Sequence, residues 1–238
     1  LEAHKIKWIE FLFFPIMFFL PFVLNVTLSL FNNLIGHNIF NSIGSKDMGI
    51  LLDFIISLVI ILLFLLLNKN NILKLKSAII YLKMYWKSIL IILISVRVIF
   101  EGINKLITFF DSQWSLSNTE NQSQINNWIN EPNSLSIAII TFFSIVIIGP
   151  MLEEILYRHL IIGELSKIFP YRLMSIISLF IFALIHVESI TSLDEIILYL
   201  ILGFPIVFVY IKSNFNVYAS IFVHIFMNFI SYTYILLT

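Results

Sequence analysis

The stretch IAIITFFSIVIIGPMLEEILYRHLIIGELS, residues 137 to 166, decides how the rest of the chain is read. It opens with a hydrophobic run broken only by Thr141 and Ser144, yet it goes on to carry Glu153, Glu154, Arg158 and His159. A membrane helix needs about 20 mostly apolar residues to cross roughly 30 Å of hydrocarbon, and this segment is longer than that. Gly149 and Pro150 interrupt it just before the acidic pair, so a tilted, kinked or re-entrant helix is expected.

The same test along the chain gives about seven spans, near 8 to 31, 49 to 67, 88 to 110, 137 to 166, 172 to 190, 194 to 211 and 215 to 237. Composition agrees: of 238 residues, 60% are hydrophobic and only 12% charged. The mean hydropathy is +1.00, too apolar for a core bathed in water. The expected fold is therefore all-α, a multi-pass transmembrane helical bundle in membrane lipid with a site in its core. The 14 basic and 14 acidic residues cancel, which removes the basic field that nucleic acid needs. The absence of cysteine excludes disulfides, thiolate metal sites and a cysteine nucleophile.

Lysine and arginine cluster in alternate connections: Lys5 and Lys7; Lys69, Lys74, Lys76, Lys83 and Lys87; Lys167 and Arg172; Lys212. The opposite connections hold His37, Lys46 and Asp47, then a stretch from Asp111 to Ser134 without a basic residue, then Glu188, Asp194 and Glu195. This asymmetry places the amino terminus in the cytoplasm of a cell-membrane protein. The run from Trp8 to about Phe31 lacks a small-residue cleavage site and reads as a retained span rather than a signal peptide, although the chain starts with Leu1. The segment from Ile72 to Trp86 mixes lysines with apolar residues and reads as a helix lying in the interface before the third span. Residues 118 to 133, rich in Asn, Ser and Gln, read as a flexible external loop. The chain divides into an amino-terminal membrane and loop region, 1 to 133, and a core from 134 to 238.

Ionisable groups inside a span cost about 2.5–3.5 kcal/mol each on insertion scales, so they tend to be paired or functional. At a rise of about 1.5 Å per residue, Glu153 lies about 21 Å from Lys167, His186 about as far from Arg172, and His224 roughly 18 Å from Lys212. Three helices therefore bring a carboxylate and two imidazoles to similar depth. Glu154 and Arg158, four apart, can pair on one face and leave Glu153 turned toward a cavity; His224 and Asn228 share the same spacing. A proton acceptor, two histidines and an amide donor are the parts that activate water and hold an oxyanion. Hydrolysis is the chemistry they suit.

Plainer readings accompany several residues. Glu154 and Arg158 also read as a structural ion pair, His159 as structural, Arg97, Glu101 and Lys105 as a charge ladder, Asp53 as near the outer interface or else packed inward, and Tyr157 as packing.

Glu153-Glu154-x-x-x-Arg158, Phe182-x-x-x-His186 and His224-x-x-x-Asn228 together resemble the three signatures of the CAAX protease and bacteriocin-processing (Abi) family of intramembrane peptidases. The resemblance implies that Glu153 is a general base on a water that His186 positions, that His224 and Asn228 stabilise the oxyanion, and that Glu154 and Arg158 orient the site. The family's metalloprotease label makes Glu153, His186 and His224 candidate ligands of a divalent metal such as zinc, although the H-E-x-x-H pattern is absent. The implied partner is a peptide or small-protein substrate. Roles in the family include processing of bacteriocin or quorum-sensing precursors, self-immunity to a bacteriocin, and prenyl-protein processing in eukaryotes. Two other classes compete: a non-catalytic immunity or scaffold protein, and a proton-coupled transporter. The lack of an internal repeat weighs against the transporter.

Overall fold

The structure, a computed structural model, describes residues 5–35, 45–110, 119–187 and 195–237, and every regular element among them is helical. His37, Asp111, Glu188, Asp194 and the Leu1 start lie outside the described residues. A tight 3-10 turn at Trp8–Leu12 leads into α1 (Phe13–Ile35), followed by α2 (Ser45–Leu67), α3 (Asn71–Phe110) and α4 (Glu120–Asn130). The long α5 runs over Leu135–Lys167, and α6 (Tyr171–Leu184), α7 (Ile196–Lys212) and α8 (Val217–Leu237) complete the bundle.

Among the described residues, four helices are long and apolar enough to cross a membrane: Trp8–Leu30, Asp47–Leu67, Leu135–Lys167 and Val217–Leu237. Their outward side chains, such as Phe22, Leu66 and Leu237, are apolar and exposed, as lipid requires. The fifth and sixth expected spans are shorter than read, at 14 residues for α6 and 17 for α7. The third expected span differs most. Residues 72 to 86 do not lie apart as an interfacial helix; they are the first part of the 40-residue α3. Asn216, in the turn before α8, donates from Nδ2 to the carbonyl of Lys74 at 2.8 Å and to Ser77 Oγ at 2.7 Å. Farther along α3, Phe100 packs with Ala183, Leu198 and Tyr199. Along α3 the lysines are exposed, while Ala78, Ile89 and Val96 face the bundle. Arg97 pairs with Glu101 at 2.6 Å, and both stand exposed farther along the helix.

The second half of α5 is the axis of the bundle: Ile155, Leu156, Tyr157, Leu160 and Ile162 are all at most 1% exposed, packed among α2, α6 and α8. A helix surrounded on every side needs apolar residues all round, a pattern this stretch keeps apart from Glu153, Glu154, Arg158, His159, Glu164 and Lys167. The main core draws residues from both sides of position 133, from Phe13 and Ile60 to Leu156 and Val217.

Polar clusters fasten both ends. At the lysine-rich end Glu10 is fully buried; its Oε2 meets His159 Nε2 at 2.7 Å, and its Oε1 accepts from Asn68 Nδ2 at 2.9 Å. Glu164 accepts from the Lys7 backbone N–H and from Lys167 Nζ at 2.8 and 2.6 Å. The structural reading of His159 follows from these contacts. At the opposite end the polar stretch after Ser117 does not stay a loop, for Glu120–Asn130 is the helix α4. Thr119 caps it by accepting from the N–H of Gln122, Ile129 anchors it at 5% exposure, and Tyr199 OH bonds Thr119 Oγ1 at 3.0 Å and accepts from Asn121 Nδ2 at 3.2 Å. These tertiary anchors outweigh its weak intrinsic hydrophobicity. Asn133 then donates to Asp47 at 2.8 Å, tying the start of α2 to the entry of α5.

Candidate active site

Pro150 shapes the site from inside α5. Proline has no N–H to donate back, and a regular helix would press its ring on the preceding turn. Here α5 widens into a π-turn over Ser144–Ile148, with the Gly149 N–H bonding Ser144 O, so the helix runs through rather than breaking or re-entering. A side chain at Gly149 would place its Cβ 2.9 Å from Ser144 O, which is why only glycine fits there. The carbonyl of Ile145 then has neither the Gly149 N–H nor an N–H from Pro150. Asn228 Nδ2, from α8, fills that gap at 2.9 Å. The His224–Asn228 spacing therefore clamps α8 onto the π-turn.

Just past this turn the two glutamates diverge as their adjacency predicts. Glu153 has 20% of its side chain exposed and lines a cleft of about 610 Å³ between α1, α2 and α5; Glu154 is fully buried. Glu154 Oε1 lies 3.2 Å from Arg158 Nη1 and 3.0 Å from His224 Nδ1. His224 Nε2, on the other side of the ring, lies 3.7 Å from Glu153 Oε2. The order Arg158, Glu154, His224, Glu153 is a continuous chain of charges and imidazole. Its buried end is fixed, and its free end faces the cleft.

Arg158 is fully buried and sits 4.3 Å over the ring of Phe182, a cation–π contact that offsets part of its desolvation. Phe182 also touches the rings of His224 and His186, with centroids 5.9 and 4.6 Å away. It is the hub of the three motifs, a role its residue type alone did not reveal. Tyr157 is fully buried and packs edge-on to Phe182 and Phe14, in line with a packing role.

His186 is placed differently from expectation. Because α6 ends at Leu184, His186 lies beyond its last turn rather than within a longer span. Its Nδ1 contacts the carbonyl of Phe182 at 2.7 Å, and its ring stacks on Tyr199 at 4.8 Å. A zinc ion takes three or four ligand atoms around one point. Glu153, His186 and His224 do not form such a group, so as arranged they build no three-ligand site. Among the described residues the group whose ligand atoms lie within 4.8 Å of one another is Glu10, His159 and Glu164. Lys7, Lys167 and Asn68 already satisfy that group, which makes it a structural latch.

The cleft adds residues that spacing did not mark. Thr141, Ser144 and Asp53 line it with Glu153, and Trp128 of α4 contributes to its wall. The Oγ atoms of Thr141 and Ser144 are buried without a hydrogen-bond partner among the described residues. Asp53, exposed, thus stands on the wall of this cleft. Its signal was legible, a carboxylate inside an apolar helix, but its azimuth was not.

Residues 135–230 match the family described as type II CAAX prenyl endopeptidase Rce1-like. The chain is also similar to a protein of Bacillus subtilis (strain 168) named "Putative membrane peptidase YdiL", with 34% identity over 82 residues, 34% of this chain and 32% of that protein. The matched region is thus about a third of that relative's length. No solved structure gives a significant match. All seven motif residues lie inside the matched stretch, and the resemblance drawn from them is borne out there.

Proposed function

We propose that the chain, built around this Rce1-like stretch, is an intramembrane endopeptidase that hydrolyses a peptide bond of a peptide or small-protein precursor. One observation carries the reading: Glu153 stands on the cleft wall, 3.7 Å from His224 Nε2, while Glu154 holds the opposite nitrogen of that ring. Glu153 takes a proton from a water lodged between it and His224, and the resulting hydroxide attacks the scissile carbonyl carbon. The carbon–nitrogen bond then breaks as Glu153 returns the proton to the leaving amine. General base catalysis of this kind contributes about 10²–10⁴-fold.

Each remaining motif residue has a part. Arg158 holds Glu154 in place at 3.2 Å, and Glu154 keeps the His224 ring oriented at 3.0 Å. His224 and the second amide hydrogen of Asn228 stabilise the oxyanion, a type of contact that loses about 10²–10³ in rate when removed. His186, with Nδ1 engaged at Phe182, keeps Nε2 for the water. The lysine-rich end faces the cytoplasm of the cell membrane, and α4, through Trp128, gates the cleft from the other side. Precursors of bacteriocins or quorum-sensing peptides are the substrates this reading favours.

The test is cleavage of a precursor peptide by purified protein in detergent, comparing the parent with Glu153→Ala and His186→Ala, each with and without chelator. Loss of cleavage in both variants with resistance to chelation is the expected result. Parent-like cleavage by both variants would refute the assignment, and loss on chelation with recovery on zinc would turn these residues into metal ligands.

A further inference from the structure

Resting on the peptidase reading above, we infer that Asp53 selects the substrate by pairing with a cationic side chain, lysine or arginine, close to the peptide bond presented to Glu153. Asp53 lines the same cleft as Glu153, and among the described residues no lysine or arginine does. Its carboxylate has no hydrogen-bond or ion-pair partner among the described residues, although it sits in the apolar span Asp47–Leu67 with a mean hydropathy of 3.2. Intramembrane carboxylates are costly and are usually paired or functional. Among the described residues the cations of the bundle interior are already paired: Arg158 with Glu154, and Lys7 and Lys167 with the Glu10 and Glu164 latch.

The two carboxylates share one level. Asp53 lies 15 residues before Asn68, and Glu153 lies 14 before Lys167, so each stands about 21–22 Å from its helix end. Those ends are fastened together, since Lys7 donates to Asn68 and to Glu164, and Lys167 to Glu164. A second sign of a ligand is Thr141, only 1% exposed, which lines the cleft with its hydroxyl oxygen unpartnered. The cleft volume of about 610 Å³ falls within the range of roughly 300–1,000 Å³ typical of ligand sites. An extended apolar segment bearing one cation fits such a cleft in shape, in polarity and in charge.

The test uses the full chain in detergent carrying Glu153→Gln, and two fluorescently labelled apolar peptides that differ only in one central residue, lysine or norleucine. The lysine peptide is expected to bind about tenfold tighter or more. Asp53→Asn should abolish that advantage and Asp53→Glu should restore it. Asp53→Lys should transfer the preference to a peptide with glutamate in the central place. Equal binding of the lysine and norleucine peptides, no binding of either, or a lysine preference that survives Asp53→Asn overturns the inference. Cleavage followed in parallel with Glu153 intact separates the two proposals. Lysine-selective binding without any cleavage supports the role of Asp53 and sinks the peptidase reading, whereas cleavage indifferent to lysine does the reverse.

Discussion

Replacing Glu154 with leucine should be among the most damaging single changes to this fold, and a second change should repair most of it. Glu154 and Arg158 are both fully buried and 3.2 Å apart, and Glu154 also holds His224 at 3.0 Å. Breaking a buried pair from one side costs about 3–5 kcal/mol because the other charge is left uncompensated. Orphaning the His224 nitrogen adds about 1–3 kcal/mol. Glu154→Leu thus loses about 4–8 kcal/mol, against a typical total stability of about 5–15 kcal/mol. In Glu154→Leu/Arg158→Met the stranded charge is gone, and only the His224 penalty of about 1–3 kcal/mol remains. At about 2–4 °C per kcal/mol for a chain of this size, the double variant should melt roughly 2–12 °C below the parent and the single variant far lower. Fluorescence-detected melting in detergent reads both. The double variant should be folded yet inactive, because nothing orients His224. A single variant melting within about 2 °C of the parent, or a double variant no more stable than the single one, would refute the reasoning.

Gly149→Ala drives a Cβ to 2.9 Å from a backbone oxygen, so the π-turn must shift; a loss of about 1–3 kcal/mol is expected, with cleavage reduced further than melting alone predicts. Asn228→Ala strips Ile145 O of its donor and should lower stability by about 1–3 kcal/mol, readable in the same melting assay, with a separate fall in kcat. Gly203→Val should act through Phe182: a Cβ there already meets Leu179 at 2.7 Å and Phe182 at 3.0 Å, so the hub ring moves and kcat drops while the protein still folds.

The sequence was most informative where lipid makes polarity expensive. Glu153, Glu154, Arg158, His224 and Asn228 stand out in hydrophobic runs, and four-residue spacing correctly split the acidic pair into one buried and one cleft-facing member. It was least informative where tertiary contacts overrule local pattern. The lysines of residues 72 to 86 suggested a surface helix, but they share α3 with a buried stripe of Ala78, Ile89 and Val96. The polar run at 120 to 130 lacked a core of its own and borrowed one through Ile129 and the Tyr199 hydroxyl. His186 was misplaced because hydropathy cannot tell an apolar turn from the end of a helix. Asp53 and Phe182 were visible as residues but not as neighbours, since which way a lone side chain points depends on partners far away in sequence.

The latch between Glu10 and His159 has a bearing on how the protein is made. Its two members are 149 positions apart, so the turn carrying Glu10 is made well before the helix that carries its partner. At synthesis rates of about 5–20 residues per second that interval is roughly 7–30 seconds, during which the Glu10 carboxylate stands at the lip of an apolar helix without its imidazole. The distance between these two residues thus sets one interval in which quality control could remove an unfinished chain.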